Sequence, residues 1–345
     1  MSATILPTSR EELATCLRDH EGPLRIVGSG SRQGRLPARD DAARLDLSAL
    51  AGIERLDAAD QTCSVQTGVR REALDEALAA HDLWLPCAGT GTLGGIFAAD
   101  DVGPLGPGSP SPRSLLLGME AVLADGTPFR SGARVVKSVA GFDLHKLFVG
   151  SQGRLFAADV LHLRLRPRPR ASVHFARTGL DADRALQLFT ALRGEALPPA
   201  ALHLAGAGNA FAVHGRFDGR PAFVAAAQRA HALAEAAPFP LLHLDAAAPA
   251  EVSAGALAPS QVPALLAAAP DLLRFVLHGG GRFELALPDA ASTDRALPRF
   301  AAAGIHAVVV GGADDRRGRA TPLDHGHERL AGALRAALDP DGTFV

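Results

Sequence analysis

The chain has 345 residues, 47% hydrophobic and 21% charged, with a formal net charge of −2. That is long enough for two domains, or one large domain with a lid, and its composition is that of a globular protein. The near-neutral charge gives nothing that favours nucleic acid or an anionic membrane surface as the main partner, and three scattered cysteines, Cys16, Cys63 and Cys87, argue against a disulfide framework or a Cys-rich metal site.

The cysteine usage suggests a reducing, cytoplasmic compartment. Met1-Ser2-Ala3-Thr4 opens without a basic stretch leading into an apolar one, so no signal peptide is expected. No apolar run reaches the roughly 18–20 residues that cross a bilayer, so any association with the inner membrane would come through a partner.

Ser9-Arg10-Glu11-Glu12 reads as a capping box opening a helix to about His20. Leu24-Arg25-Ile26-Val27 is a short strand, and 44–47 and 62–68 alternate as strands do. Arg70 to Ala80 has helical spacing, with Leu74, Ala77 and Leu78 on one face. From Pro86 to Pro112 the chain is rich in Gly, Pro, Thr and Ser, an irregular length that points to function. Leu115 to Leu123 is a strand that Asp125-Gly126 turns into a hairpin. Phe156 to Leu165 is another strand, closed by Arg166-Pro167-Arg168-Pro169-Arg170, which marks a domain boundary. Beyond it, strands alternate with Ala-rich helices, including Arg220 to Ala236 and Thr293 to Ala303. A last helix runs from about Leu323 to Leu338.

Three loops carry the chemistry. The first is Gly28-Ser29-Gly30-Ser31-Arg32-Gln33-Gly34, directly after a strand. Short side chains let backbone N–H groups converge on a phosphate. The spacing misses the dinucleotide fingerprint Gly-x-Gly-x-x-Gly by one residue, and Pro37 bars a following helix. No Lys makes it a P-loop. A diphosphate cradle on a loop between strands and an ordinary tight turn both remain open. The second loop, Pro86-Cys87-Ala88-Gly89-Thr90-Gly91-Thr92-Leu93-Gly94-Gly95, has the same character. The third runs from Lys137 to Leu155 and adds Gly141, Gly150 and Gly153. Three such loops suit a long ligand with a diphosphate at its middle and a heterocycle at one end. The chain's only two lysines, Lys137 and Lys146, both lie in the third loop of an otherwise Arg-rich sequence. A compact ammonium does not substitute freely for a guanidinium.

The stretch Lys137-Ser138-Val139-Ala140-Gly141-Phe142-Asp143-Leu144-His145-Lys146-Leu147-Phe148-Val149-Gly150-Ser151-Gln152-Gly153-Arg154-Leu155 is similar to Lys-Asn-Val-Ala-Gly-Tyr-Asp-Leu-x-Lys-Leu-x-x-Gly-Ser-x-Gly-x-Leu. That pattern belongs to FAD-binding subunits of bacterial glycolate oxidase (GlcE type), in the vanillyl-alcohol oxidase and p-cresol methylhydroxylase (PCMH) superfamily. Looser likenesses extend the resemblance: Leu277-His278-Gly279-Gly280-Gly281-Arg282, Gly304-Ile305-His306-Ala307 and Asp339-Pro340-Asp341-Gly342-Thr343-Phe344. Departures include Ser138 for Asn, Ser114 for Asp, Phe156 for Gly, Val160 for Glu, and an end at Val345 without Asn-Pro-Gly-Arg.

The resemblance implies an α+β protein. A two-subdomain PCMH-type FAD-binding domain (1–170) would precede an α/β cap with an antiparallel sheet (171–315), and a C-terminal helix (316–345) would return to the first domain. It implies that Gly28, Ser29, Gly30, Ser31 and Arg32 hold the diphosphate of FAD. Pro86, Gly89, Thr90, Thr92, Leu93, Gly94 and Gly95 would line the ribityl chain and isoalloxazine. Lys137, Gly141, Asp143, Gly150 and Gly153 would shape the rest. The first loop has no His or Cys, so the FAD is expected to be non-covalent. Oxidising a 2-hydroxy acid needs a cation for its carboxylate, a base near its hydroxyl and a hydride acceptor. His278, Arg282 and His306 are the catalytic candidates by resemblance. Each also has a plainer reading, as a packing histidine or a surface arginine. No metal site is expected, since His325-Gly326-His327-Glu328 lacks His-Glu-x-x-His spacing and reads as a solvated helix start. The implied partners are a paralogous FAD-binding catalytic subunit and an iron–sulfur subunit. The alternative is a structural subunit that leaves the chemistry to such a partner.

Overall fold

The computed structural model describes residues 3–31, 37, 39–87, 89–101, 105–134, 142–231, 233, 235–237, 251–322 and 325–345. Arg32, Lys137 and Gly141 lie outside them.

The chain begins with β1 (Thr4–Ile5), α1 (Arg10–Asp19), β2 (Leu24–Val27) and β3 (Ala43–Asp46). Ser9 caps α1, its side chain accepting from the Glu12 amide, and Leu13, Ala14 and Leu17 are buried. The three strands form a parallel sheet in the order β1-β3-β2.

Next come β4 (Ile53–Asp57), β5 (Thr62–Gln66), α2 (Arg71–Ala79), β6 (Leu83–Trp84), α3 (Leu93–Ala98) and α4 (Pro112–Leu115). They are followed by β7 (Leu116–Val122), β8 (Pro128–Gly132), a 3₁₀ turn at Leu144–Leu147, β9 (Ala157–Arg164) and β10 (Arg166–Pro167). An antiparallel sheet runs β4-β5-β9-β7-β8, and β10 pairs with β6. Its core face buries Val65, Met119, Leu161 and Leu163 with Leu74, Leu78, Ile96 and Phe97 of α2 and α3.

The remainder holds β11 (Ala171–Leu180), α5 (Ala182–Arg193), β12 (Ala201–Ala207), β13 (Ala210–Gly219), α6 (Pro221–Ala230) and β14 (Glu251–Ala256). Then follow α7 (Val262–Ala268), β15 (Arg274–His278), β16 (Arg282–Leu287), α8 (Ala290–Ala302), β17 (His306–Gly311) and α9 (His325–Leu338). The strands make one antiparallel sheet, β11-β13-β12-β15-β16-β14-β17. Strand alternation divides it. Phe275, Leu277, Phe283 and Leu285 point to a core shared with Phe189 of α5 and Phe300 of α8. Val276, Ala286 and Val252 form a smaller cluster with Ala205 and Val310 on the other face. The architecture is α+β, as the resemblance implied.

Local readings need three adjustments. The irregular stretch from Pro86 contains α3. Thr92 caps that helix, its Oγ1 accepting from Gly95 N at 3.4 Å, and Leu93, Ile96 and Phe97 are buried. Packing overrides the poor helix propensity of Gly94 and Gly95. α6 stops at Ala230 rather than Ala236. α8 starts at Ala290, three residues before Thr293, because Asp289 caps it by accepting from the Ser292 amide at 2.7 Å.

The C-terminal segment runs beside β2. Leu24 N donates to Thr343 O at 2.7 Å, Val345 N donates to Leu24 O at 3.0 Å, and Phe344 is buried with Leu13, Leu24 and Leu45. α9 has no buried residue, though Leu338 packs against the core of the five-stranded sheet. Among the described residues no helix is long and apolar enough to cross a membrane.

Candidate functional site: a glycine-walled cleft

An open cleft of about 120 Å³ lies where the parallel sheet, the five-stranded sheet and the large sheet meet. Its floor begins at Ile26 and Val27 of β2 and continues into Gly28, Ser29, Gly30 and Ser31. Among the described residues, nothing accepts from the amides of Gly28, Ser29 or Gly30. Orphan donors on a concave loop are what a diphosphate needs.

Thr67, Thr92, Gly94 and Gly95 supply the next wall. Two close approaches explain the glycines. A Cβ on Gly28 would stand 2.3 Å from Thr92 Oγ1, and one on Gly94 would stand 2.8 Å from Thr67 Cβ and 3.0 Å from Thr67 O. The bends fit only bare backbone. Thr67 is fixed in turn, its Oγ1 donating to Ala158 O and its N to Asp159 O, both at 2.9 Å. The last wall is Gln152, Gly153, Phe156 and Ala158. Gly153 lies against Ile26, and Phe156 packs edge-on to Phe129 at 5.3 Å and stacks on Phe148 at 6.2 Å.

Arg282, at the start of β16, reaches in from the large sheet. Its Nη1 donates to Ala99 O at 3.3 Å and Asp100 O at 3.1 Å, just past the end of α3. Asp100 itself has φ +48°. Burial holds its carboxyl above the usual range, against the pull of Arg282. Asp101 is buried beside it. Val310 of β17 completes this end.

Thus Gly28, Ser29, Gly30, Ser31, Thr92, Gly94, Gly95, Gly153 and Arg282 line one space. Other sequence candidates stand elsewhere. Leu93 lies in the core under α3, Pro86 is buried, and Gly89 and Thr90 precede the cleft wall. Gly150 N donates to Phe97 O at 3.2 Å, tying the third segment to α3. Asp143 is largely exposed, 4.0 Å from His145 Nε2. His278 is 2% exposed, and its Nδ1 lies 2.9 Å from His203 Nδ1. His306 Nδ1 lies 2.9 Å from Thr321 Oγ1. Neither histidine lines the cleft. Among the described residues no three His, Cys, Asp or Glu side chains come together as a metal site. Sequence reasoning missed Thr67 and the acid pair Asp100-Asp101. Two adjacent carboxylates directly after an apolar run were the available signal.

A buried charge network backs the cleft. Arg10 of α1 donates through Nε to Asp159 Oδ2 at 2.5 Å and pairs with Glu120 of β7. Arg134 also reaches Glu120 at 3.1 Å, as does Arg130. Burial works against the Arg10 charge, but the two carboxylates outweigh it. Asp159 loses more to burial than it gains from Arg10, and its carboxyl is pushed up to about 6. Its Oδ1 is buried with no partner. The folded state therefore takes up a proton between the ordinary carboxyl pKa of 3.8 and about 6. The stability this group contributes is complete below that window and is lost as pH rises through 6. Asp159→Asn removes the loss. Chemical denaturation should show the variant more stable than wild type by about 1–3 kcal/mol at pH 7.5, with the gap closing at pH 4.5. An equal gap at both pH values would contradict this.

A small parallel sheet and an antiparallel sheet enclose the glycine-walled cleft, and a third sheet faces it. Residues 1–132 match the family of FAD binding domains. Over 160 residues the chain is 33% identical to glycolate oxidase subunit GlcE of Escherichia coli (strain K12), covering 45% of either chain. It is 28% identical over 209 residues to glycolate oxidase subunit GlcD of Bacillus subtilis (strain 168), covering 58% of this chain and 44% of that one. It is 30% identical over 175 residues to the mitochondrial cytochrome-type D-lactate dehydrogenase of Arabidopsis thaliana, covering 49% of this chain and 31% of that one. The chain thus spans less than half the length of these relatives. A solved structure of alkyldihydroxyacetonephosphate synthase shares the fold, with TM-score 0.70 over 99% of this chain and 75% of that one at 12% identity.

Proposed function

We propose that the chain is the FAD-binding subunit of a complex that oxidises glycolate or a related small 2-hydroxy acid. Its cofactor would be held without a covalent bond. The observation that carries this reading is Arg282, a cation from the large sheet lining the same cleft as the orphan amides of Gly28 to Gly30. FAD bound there supplies the hydride acceptor. The chain's own residues do the rest. Gly28 to Gly30 take the diphosphate, Thr67 and Thr92 set the width, and the apolar walls exclude water. Arg282 Nη1 is spent on two carbonyls, which aims the remaining guanidinium edge at a substrate carboxylate. Asp100 positions Arg282 through its backbone carbonyl, 3.1 Å from Nη1.

A second reading has its own support. Neither His278 nor His306 lines the cleft, so the acid–base equipment is sparse. In that case hydroxy-acid chemistry lies in a paralogous FAD-binding subunit, with an iron–sulfur subunit as the electron outlet, and this chain holds FAD structurally. Anaerobic addition of glycolate or D-lactate to the FAD-loaded chain separates the two. Bleaching of the flavin absorbance supports the first. An unchanged oxidised spectrum, with reduction appearing only when partner subunits are added, overturns it in favour of the second.

A further inference from the structure

The large sheet meets the α3 side of the cleft along a seam of bare backbone. The segment 105–109 lies across the start of β12. Leu105 bridges to Ala201, Gly106 N donates to Ala200 O at 2.8 Å, and Gly108 N donates to Pro199 O at 3.0 Å. Ser109 Oγ also donates to Ala200 O, at 2.9 Å. The hairpin turn between β15 and β16 closes on the same segment. A Cβ on Gly279 would stand 2.7 Å from Pro107 Cδ, 2.8 Å from Gly106 Cα and 3.1 Å from Leu202 Cβ. A methyl group cannot sit that close to backbone, so turn and segment touch only because residue 279 is glycine. Gly280, next in the turn, is exposed, and a Cβ there would meet nothing within 4 Å.

The turn is tied on three sides. Gly279 N donates to Leu202 O and Gly281 N to His278 O, both at 2.8 Å, and Arg193 Nε of α5 donates to Gly279 O at 2.9 Å. Arg282 follows three residues after Gly279. Its bonds to Ala99 O and Asp100 O, at 3.3 and 3.1 Å, stand at the long end of the hydrogen-bond range. A small lift of the turn therefore breaks them, because close-packed backbone transmits a shift rather than absorbing it.

We propose that Gly279 is a positioning residue: its seat on Gly106 and Pro107 sets how deep Arg282 reaches into the cleft. Its effect on a substrate carboxylate rests on the 2-hydroxy-acid reading above, whereas its hold on Arg282 does not.

Two measurements on the FAD-loaded full chain test this. The first is a double-mutant cycle read by thermal melts. Arg282→Ala should lower the melting temperature by about 2–4 °C in the wild-type background. In the Gly279→Ala background it should cost less than half of that, because the guanidinium has already left its carbonyls. Equal losses in both backgrounds overturn the proposal. The second follows the flavin absorbance as oxalate is added, a dicarboxylate with no hydrogen to give the flavin. Gly279→Ala should weaken oxalate about tenfold or more while FAD affinity holds, and Gly280→Ala should match wild type. Oxalate bound as tightly by Gly279→Ala as by wild type overturns the proposal, as does equal weakening by Gly280→Ala. A wild-type flavin that does not respond to oxalate counts against the hydroxy-acid reading alone, and the cycle still decides Gly279. Arg193 is exposed, and Arg193→Gln removes only the donor to Gly279 O. It should move both readings the same way by less, so it serves even if Gly279→Ala fails to fold.

Discussion

Gly94→Ala is expected to cost the chain about a hundredfold in FAD affinity and about 1–3 kcal/mol in stability. The added methyl would stand 2.8 Å from Thr67 Cβ and 3.0 Å from the Thr67 carbonyl. A carbonyl cannot rotate away as a long side chain can. Either the start of α3 lifts or the turn after β5 moves, and both line the cleft. The Thr67 carbonyl also accepts from the Gly94 amide at 2.8 Å, so the contact that is crowded is the one that joins the two walls. Flavin fluorescence titration of the cofactor-free protein, with a thermal melt alongside, reads both effects. Affinity equal to wild type would show that the two walls do not meet on the cofactor.

Arg282→Ala should leave FAD bound and lower the rate of flavin reduction by a 2-hydroxy acid about 100-fold or more. The reasoning is geometric. The two hydrogen bonds of Arg282 go to the carbonyls of Ala99 and Asp100, just past α3. Losing it frees those carbonyls and removes the cation that the proposed reaction would set against the substrate carboxylate. Arg282→Lys restores the charge without the fork, so it should recover only part of the rate. Stopped-flow reduction under anaerobic conditions measures this directly. Loss of FAD with retained rate per bound flavin would reassign Arg282 to cofactor binding.

Much of the first half was legible because its signals are local. β3 and β5 announce themselves by alternation, β2, β7 and β9 by apolar runs bounded by turn residues, and α1 by its cap at Ser9. The glycine loops were legible because a run of short side chains has few other uses. α3 was not, since Gly94 and Gly95 argue against a helix in isolation. Burial of Leu93, Ile96 and Phe97 decides it, and burial is a tertiary fact. α6 ends early at Ala230 although alanine continues, so alanine content alone did not mark its end.

The retained lysine at 146 turned out to have a physical reason. Its Nζ donates to the carbonyls of Arg113 and Leu116, while Arg113 Nη1 returns a bond to Lys146 O at 2.8 Å. A compact ammonium fits between two carbonyls where a planar fork would not. Phe156, a departure from the family pattern, is seated on Phe129 and Phe148 and so widens the aromatic part of the cleft wall. His278 illustrates the limit of resemblance. Its place in the chain is right for a residue near Arg282, but β15 turns it onto His203 across the neighbouring strand. The Asp159 network joins residues 10, 120 and 159, a separation no local pattern reveals.

The account rests on bare amides at the bends of the cleft gripping a diphosphate. Calorimetric titration of the cofactor-free chain with FAD, FMN and riboflavin tests that most directly. One FAD per chain is expected, with FMN weaker and riboflavin weaker by several orders of magnitude, because each step removes phosphate that Gly28, Ser29 and Gly30 would hold. Equal affinity for all three, or no binding of any, would contradict it.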